Sequence, residues 1–388
     1  MSANESFKKP FVTSTVLGLS LLAYGLSSCS APPIAPPKYK VGDQEANPGV
    51  QPTDPVDPVD PVDPVEPVVD PTDPEKPTTD PVKPTTEPKP NTPVVPEVPE
   101  VKPVVISKEG DGRFEIGPNY SDAAETKSRG AMKGSWKEFD MKGSESIIFK
   151  GNYTRKVRVY LPPNFKTTTE YPFMIAMDAQ YWTEPLKTTV DNLIADKKIP
   201  AMVVLFVDNG GGDSRGSQRG LEYDTVGPNN AKFFDTEVLP RVAKEYSVKF
   251  TTNPEGGGLF GGSSSGVAAF TGAWFYPQRF RKVLSYSATF TAQGADNNYP
   301  EGGWEYQKHI IKESDVKPIR VCLEAGQNDN KYFNDTLVAN ENTYKELVAK
   351  GYHARMHYGK GAGHVDGGVM RQTVAENMIW LWRDYPKD

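Results

Sequence analysis

The stretch Gly258-Leu-Phe-Gly-Gly-Ser-Ser-Ser-Gly-Val-Ala-Ala-Phe270 decides the fold of this chain. Its first five residues form a compact apolar strand, and the residues from Val267 onward begin an apolar helix. A serine on such a sharp strand-to-helix turn is forced into a strained backbone geometry that points its hydroxyl outward. Glycines flank it because any side chain there would clash with the neighbouring strand or helix. The frame Gly262-x-Ser264-x-Gly266 fits this pattern and predicts that Ser264 is a nucleophile.

Three consecutive serines leave the register of the turn open, since Ser263 or Ser265 could occupy the same place. The amide after the nucleophile lies at a helix N-terminus and can stabilise an oxyanion, and in the predicted register this amide belongs to Ser265. A plain Gly/Ser-rich loop is one alternative. A dinucleotide fingerprint at Gly256-x-Gly258-x-x-Gly261 is another, but those glycines precede the turn and lack a supporting βαβ context.

Short runs rich in β-branched residues, each ending in turn-forming residues, surround this stretch. They are Lys156–Pro162, Phe173–Asp178, Met202–Asp208, Lys282–Ser287 and Ile319–Gly326. Apolar residues at spacings of three and four predict helices at Ala231–Tyr246, Ser265–Phe275 and Glu341–Lys350. Apolar strands that alternate with helices imply an α/β protein with a mostly parallel central sheet covered on both faces. In such sheets the functional residues lie in loops at the carboxyl ends of the strands.

His364 is the candidate general base among the four histidines. It follows the glycine-rich loop Gly359–Gly363 beyond the last predicted strand, and an imidazole there can reach over a nucleophile to take its proton. Asp329 lies just past the end of the preceding strand, where it could hold the histidine in the right tautomer. Asp335 and Asp366 are competing acids. The chain order serine, aspartate, histidine is that of the α/β-hydrolases.

Charge and cysteine content exclude several classes of function. The chain carries a net charge of −6, but residues 105–388 alone carry +1 and so lack the excess of positive charge that nucleic-acid binding requires. No cluster of histidine, cysteine and carboxylate has the spacing of metal ligands, so we expect neither a metal nor a cofactor. The two cysteines, Cys29 and Cys322, provide no disulfide framework.

Residues 1–28 have the layout of a bacterial secretory signal. The apolar run Phe11–Tyr24 follows two lysines and is too short to span a bilayer as a helix. Leu26-Ser-Ser-Cys29 resembles a lipobox, in which the cysteine is acylated and begins the mature chain. We therefore expect a lipoprotein anchored to the cell envelope at Cys29. Ser30 in the next position favours the outer membrane, and a plain secretory signal or a short anchor helix is the alternative.

Residues 29–104 are predicted to be a disordered linker. Twenty-two of the 36 prolines fall in Ser30–Val104, together with a net charge of −8, and Gln51–Val69 repeats Asp-Pro-Val almost without interruption. Such a segment cannot form a core and should be extended and stiff. We expect it to be a spacer between the membrane and a domain at 105–388, with a proline-rich ligand for a recognition domain as the alternative.

Several segments beyond the serine turn are shared with a known family. They are Asp178–Trp182, Asn209–Gly212, Gly216–Asp224, Gly261–Gly266, Val338–Asn342, Ala362–His364 and Trp380–Asp384. Through them Gly112–Pro386 resembles the enterochelin-esterase-like branch of the esterase D superfamily, α/β-hydrolases that include feruloyl and acetylxylan esterases and mycolyltransferases. The resemblance implies a triad of Ser264, Asp329 and His364.

The same resemblance implies an oxyanion hole formed by the amide of Ser265 and by that of Ala179 or Gln180 in an early loop. Two further groups each allow two interpretations. Tyr181 and Trp182 either stack on an aromatic acyl group or sugar, or belong to the core.

The pattern Arg219-x-x-Glu222-Tyr223 borders the active-site cleft in the family. It either contacts the substrate or forms a buried ion pair and tyrosine that brace the nucleophile loop.

The sequence therefore predicts a lipid-anchored serine carboxylic-ester hydrolase that works through an acyl-enzyme. A siderophore ester and an acylated or feruloylated polysaccharide both fit as substrate, and the fold does not choose between them. The alternatives are an acyltransferase of the same fold and a non-catalytic surface binding module.

Overall fold

The computed structural model describes residues 108–130 and 132–387. Its strands are β1 Gly112–Ile116, β2 Ser135–Lys142, β3 Thr154–Leu161, β4 Glu170–Tyr171, β5 Phe173–Met177, β6 Val203–Val207, β7 Lys249–Phe250, β8 Gly257–Gly262, β9 Lys282–Tyr286, β10 Arg320–Gly326 and β11 His353–Gly359. Its helices are α1 Thr183–Ala195, α2 Gln218–Tyr223, α3 Asn229–Phe233, α4 Leu239–Tyr246, α5 Ser264–Phe275, α6 Ile311–Glu313, α7 Thr336–Ala349 and α8 Gly367–Trp382.

Nine strands form one sheet in the order β1-β11-β10-β9-β8-β5-β6-β3-β2, while β4 and β7 pair separately. Only β2 with β3 and β3 with β6 run antiparallel in the large sheet. Every other neighbouring pair in it is parallel. The α/β-hydrolase fold predicted from the sequence is confirmed.

Side-chain alternation along β5 divides the core between the two faces of the sheet. Phe173, Ile175 and Met177 belong to a cluster that also contains apolar side chains of α5 and α7. Met174 and Ala176 belong to a second cluster with those of α1 and α8. Both faces are buried because the strand is apolar throughout, as expected for a parallel sheet with helices on each side.

The predicted strands coincide with β3, β5, β6, β9 and β10 to within one or two residues. The helix predicted from Ala231 to Tyr246 is interrupted by a π-helical turn at Phe234–Val238, between α3 and α4. The helix predicted from Glu341 begins earlier, at Thr336, where Asp335 caps it by accepting a hydrogen bond from the amide of Val338 at 3.1 Å.

The centre of the sheet sets the position of the site. β5 and β8 are neighbours, yet the chain continues from β5 to β6 on one side and from β8 to β9 on the other. Crevices form outside the carboxyl ends of strands at such a switch point. The loops that follow β5, β8, β10 and β11 all open at this edge.

The predicted signal peptide, the lipidation site Cys29 and the linker lie outside the described residues, as does the predicted domain start at residue 105. Across the described ranges, the helices are all too short or too polar to cross a membrane.

Candidate active site

The turn between β8 and α5 holds Ser263 in an unusual backbone conformation. Its φ is 60° and its ψ is −128°, a backbone region that residues other than glycine rarely adopt. Such strain costs about 1–3 kcal/mol and persists only where the surroundings enforce it. The Ser263 amide donates to the carbonyl of Tyr286 at 2.9 Å, and its own carbonyl accepts from the amide of Gly266 at 2.9 Å. Hydrogen bonds to β9 on one side and to α5 on the other therefore fix the turn.

A chain of hydrogen bonds runs from this serine to a buried acid. His364 Nε2 lies 2.8 Å from Ser263 Oγ, and His364 Nδ1 lies 2.6 Å from Asp329 Oδ1. The Asp329 side chain is fully buried, and its Oδ1 also accepts from the amide of Asn330 at 2.8 Å. The structure thus brings the sequence-predicted Asp329 and His364 together, with Ser263 as the third member.

The structure does not place Ser264, the predicted nucleophile, beside His364; the serine in that position is Ser263, one residue earlier. Ser264 is completely buried, and its Oγ accepts from Arg219 Nη1 and Gln293 Nε2, each at 3.0 Å. The glycine that the turn requires is Gly261, where a Cβ atom would lie 2.3 Å from the carbonyl oxygen of Ser265. The pattern is therefore Gly261-x-Ser263-x-Ser265, with a serine in place of the last glycine.

The shift in register also moves the predicted oxyanion amide. The residue after Ser263 is Ser264, which opens the 12-residue helix α5. Ser265, predicted to supply this amide, instead closes the turn, because its Oγ donates to the carbonyl of Gly262 at 2.7 Å and accepts from the amide of the same residue at 3.0 Å.

The second predicted oxyanion donor lies in the loop after β5. Ala179 is buried and Gln180 is exposed, and both belong to a short 3₁₀ turn. Asp178, just before them, has a φ of 53°. Its carboxylate accepts from Asn209 Nδ2 at 2.7 Å and from Arg219 Nη2 at 2.7 Å. Because Arg219 also binds Ser264, one guanidinium connects this loop to the first residue of α5.

Arg219, Glu222 and Tyr223 are all buried, which favours the interpretation that they brace the nucleophile loop. Glu222 pairs with Arg155 and not with Arg219, through two hydrogen bonds, one of them 2.8 Å long, and the side chains of this pair are almost inaccessible. Tyr223 is 1% exposed, and burial raises its pKa well above the ordinary value. Of the three, only Arg219 reaches the cleft.

The two aromatic residues after β5, Tyr181 and Trp182, differ in their exposure to solvent. Trp182 is 7% exposed and packs edge-on against Phe260, with ring centroids 5.5 Å apart, so it belongs to the core. Tyr181 is 67% exposed. Neither ring lines the cleft beside Ser263.

That cleft has a volume of about 240 Å³. Besides Ser263 and His364, its walls include Asp213, Arg219, Gln293, Asn330, Tyr332 and Phe333. Within residues 108–130 and 132–387, no group of His, Cys, Asp and Glu side chains is arranged to hold a metal ion.

Sequence reasoning missed Gln293 and Asp224. Gln293 Nε2 donates to Asp224 Oδ2 at 2.8 Å as well as to Ser264 Oγ, and the pKa of Asp224 is raised because the carboxyl group is buried. Gln293 follows β9 in an irregular segment that carries no periodic pattern. Asp224 ends the family-like segment that begins at Gly216, which was the only signal for it.

Beneath the acid of this hydrogen-bond chain lies a second carboxyl group. Glu324 on β10 is completely buried. Burial, and then the nearby carboxylates of Asp329 and Asp366, raise its pKa well above the ordinary value. Glu324 is therefore more readily protonated in the folded protein than in the unfolded chain.

This protonation predicts a pH dependence of stability. In the unfolded chain the carboxyl ionises with a pKa near 4.5, so unfolding releases a proton at any pH between that value and the raised pKa of the folded state. The free energy of unfolding should fall as pH rises through this window, by up to about 1.4 kcal/mol per pH unit. The variant Glu324→Gln cannot titrate there, so its stability relative to wild type should rise with pH.

Urea unfolding of both proteins from about pH 5 to pH 8 measures this difference. The control Glu145→Gln replaces an exposed carboxylate in the 3₁₀ turn Gly143–Glu145 by a neutral amide and should show no such trend. A difference between Glu324→Gln and wild type that stays constant with pH would show that Glu324 is ionised in the folded state.

Comparison with known proteins identifies a protein family that matches this chain. The esterase family model matches residues 150–366, more than half of the chain. The iron(III) enterobactin esterase of Dickeya dadantii (strain 3937) is 25% identical over 239 residues, which are 58% of this chain and 51% of that protein. The chain thus spans about half the length of this curated relative.

Two solved structures illustrate the shared fold. The enterobactin esterase of Shigella flexneri, determined in the presence of 2,3-dihydroxy-N-benzoyl-serine, has a TM-score of 0.51 at 20% identity and covers 65% of this chain and 61% of its own. A CE1 ferulic acid esterase of Anaeromyces mucronatus has a TM-score of 0.52 at 15% identity and covers 67% of this chain and 97% of its own. At these identities the likeness is one of fold.

Proposed function

We propose, from the premise that this chain belongs to the esterase family, that it hydrolyses carboxylic esters with Ser263, His364 and Asp329 as its catalytic triad. The observation that carries the proposal is the hydrogen-bond chain from Ser263 Oγ through both imidazole nitrogens to a buried carboxylate. A nucleophile, a base within hydrogen-bond reach and a third group that orients the base are the parts of nucleophilic catalysis.

The reaction follows from these contacts. His364 Nε2 takes the proton of Ser263 as its Oγ attacks the ester carbonyl carbon, and the carbonyl oxygen becomes an oxyanion. The amide of Ser264, with that of Ala179 or Gln180, donates hydrogen bonds to this oxyanion. His364 then gives the proton to the leaving alcohol, and a water molecule activated by the same imidazole releases the acyl group.

The buried acid keeps the imidazole in the productive tautomer. Asp329 Oδ1 accepts from Nδ1 of His364, so Nε2 is left to accept the serine proton. The carboxylate also stabilises the imidazolium that forms during the attack.

The substrate of the proposal is an ester with a small-molecule or polysaccharide-linked acyl group. One relative named above is an iron(III) enterobactin esterase, and another is a ferulic acid esterase. Tyr332 and Phe333 in the cleft give an apolar wall that an acyl group can contact.

We predict that Ser263→Ala abolishes turnover of a 4-nitrophenyl ester, because loss of a triad nucleophile costs on the order of 10⁶ in kcat. Ser264→Ala should lower kcat/KM by only about 10- to 100-fold, since it leaves two buried donors without an acceptor but keeps the amide.

The release of 4-nitrophenolate by the purified proteins measures both rates, and thermal unfolding checks that both variants are folded. An inactive Ser264→Ala beside an active Ser263→Ala would restore the register predicted from the sequence. A folded wild-type protein that turns over no ester would favour a binding module.

The second part of the proposal is a lipid anchor at Cys29, followed by a spacer that holds the esterase domain away from the membrane of the bacterial cell envelope. The lipobox-like Leu26–Cys29 supports it, although these residues lie outside the described ones. One acyl chain of myristoyl size binds membranes only weakly, so firm anchoring needs several chains on the cysteine.

Wild-type protein expressed in bacteria should incorporate labelled palmitate and sediment with the membranes, whereas Cys29→Ala should do neither. Labelling is read on a gel after immunoprecipitation, and Cys322→Ala is the matched control because that cysteine is buried in the domain. Unlabelled wild-type protein would contradict the anchor.

A further inference from the structure

Arg219 is the only arginine or lysine that lines the cleft beside Ser263 in the described part of the chain. Its guanidinium is already engaged. Nε and Nη2 donate to the carboxylate of Asp178, and Nη1 donates to Ser264 Oγ and to the backbone carbonyl of Asp213. The side chain is 10% exposed. Four of its five N–H donors are therefore used within the site, which leaves little of the guanidinium for an anionic substrate.

Carboxylates outnumber this cation around the cleft. The side chain of Asp213 at the lip is 89% exposed, and its Oδ1 lies 3.6 Å from Arg219 Nη1. Asp178 and Asp329 lie directly behind the wall, bound to Arg219 and His364. Without Asp224, the carboxylates around the cleft are those of Asp213, Asp178 and Asp329, against the one guanidinium of Arg219.

The remaining charges at the mouth do not reverse this balance. Lys331 is paired with Asp335, with Nζ and Oδ2 2.8 Å apart. Arg215 is exposed in the same loop as Asp213 and offsets one carboxylate. The other walls are uncharged, with Tyr332 and Phe333 71% and 47% exposed.

From this charge distribution we infer that the cleft takes uncharged esters and discriminates against anionic ones, most strongly against polyanions such as a tris-catecholate complex. The inference rests on the proposed function and names the substrate class of the same site. By this count the three carboxylates exceed the two arginines by one negative charge. A negative charge brought into the cleft therefore meets a net repulsion, which the low dielectric of the wall strengthens.

Two rigid substrates of similar shape test this inference. They are 4-nitrophenyl 4-methylbenzoate, which is neutral, and the mono-4-nitrophenyl ester of terephthalic acid, which carries one carboxylate in place of the methyl group. Both release the same alcohol, and the ring prevents the carboxylate from attacking its own ester. With rates normalised to hydroxide-catalysed hydrolysis, wild-type kcat/KM should be about tenfold higher for the neutral ester.

Asp213→Asn should narrow this ratio by about threefold, because it removes the exposed carboxylate at the lip and keeps its shape. High salt should narrow the ratio for wild type as well, since it screens exposed charges. The matched control Glu170→Gln replaces an exposed carboxylate on β4, just before the amino end of β5, and should leave both rates unchanged.

The outcomes separate the two claims. Equal wild-type rates on the two esters, or a ratio that Asp213→Asn does not change, would overturn the inference and leave the esterase intact. A protein that hydrolyses neither ester would overturn the proposed function, and the inference with it.

Discussion

The site depends on the backbone of Ser263. A side chain at a φ of 60° is held there by two constraints that meet at one turn: the closeness of Gly261 to the carbonyl of Ser265, and the hydrogen bonds that tie Ser263 to β9 and to the first turn of α5. The strain places the hydroxyl at the carboxyl edge of the sheet within 2.8 Å of His364 Nε2. Because a parallel sheet gathers all its carboxyl ends at one edge, β10 and β11 bring the acid and the base to the same place.

A second layer of polar contacts holds the surroundings of this serine. Arg219 joins the loop after β5 to Ser264, and Gln293 joins Ser264 to Asp224. These buried groups satisfy one another, which is how a polar network can lie in a core without a large desolvation penalty. The same arrangement has a consequence for recognition. Arg219, the single guanidinium that lines the cleft in the described part of the chain, donates to residues of the site itself, and negative charge remains at the mouth of the cleft.

Much of this could be predicted from the sequence, and the failures have physical causes. Apolar strands alternating with helices indicate the sheet, and the acid and base follow because Asp329 and His364 each lie a few residues past a strand end. The register of the turn could not be predicted, since three serines are chemically identical and the choice rests on a backbone contact at Gly261. The edge strands β1 and β2 contain half-buried and exposed residues but no fully buried one, so their apolar patterns are weaker. Gln293 acts through contacts distant in sequence.

The most direct test of the account is the identity of the serine that reacts. A fluorophosphonate forms a covalent bond only with a serine hydroxyl activated by a neighbouring base, and peptide mass spectrometry with fragmentation can distinguish three adjacent serines. The account predicts one modified residue, Ser263, and no label once the protein is unfolded. Label on Ser264, or a folded protein that takes no label, would contradict it.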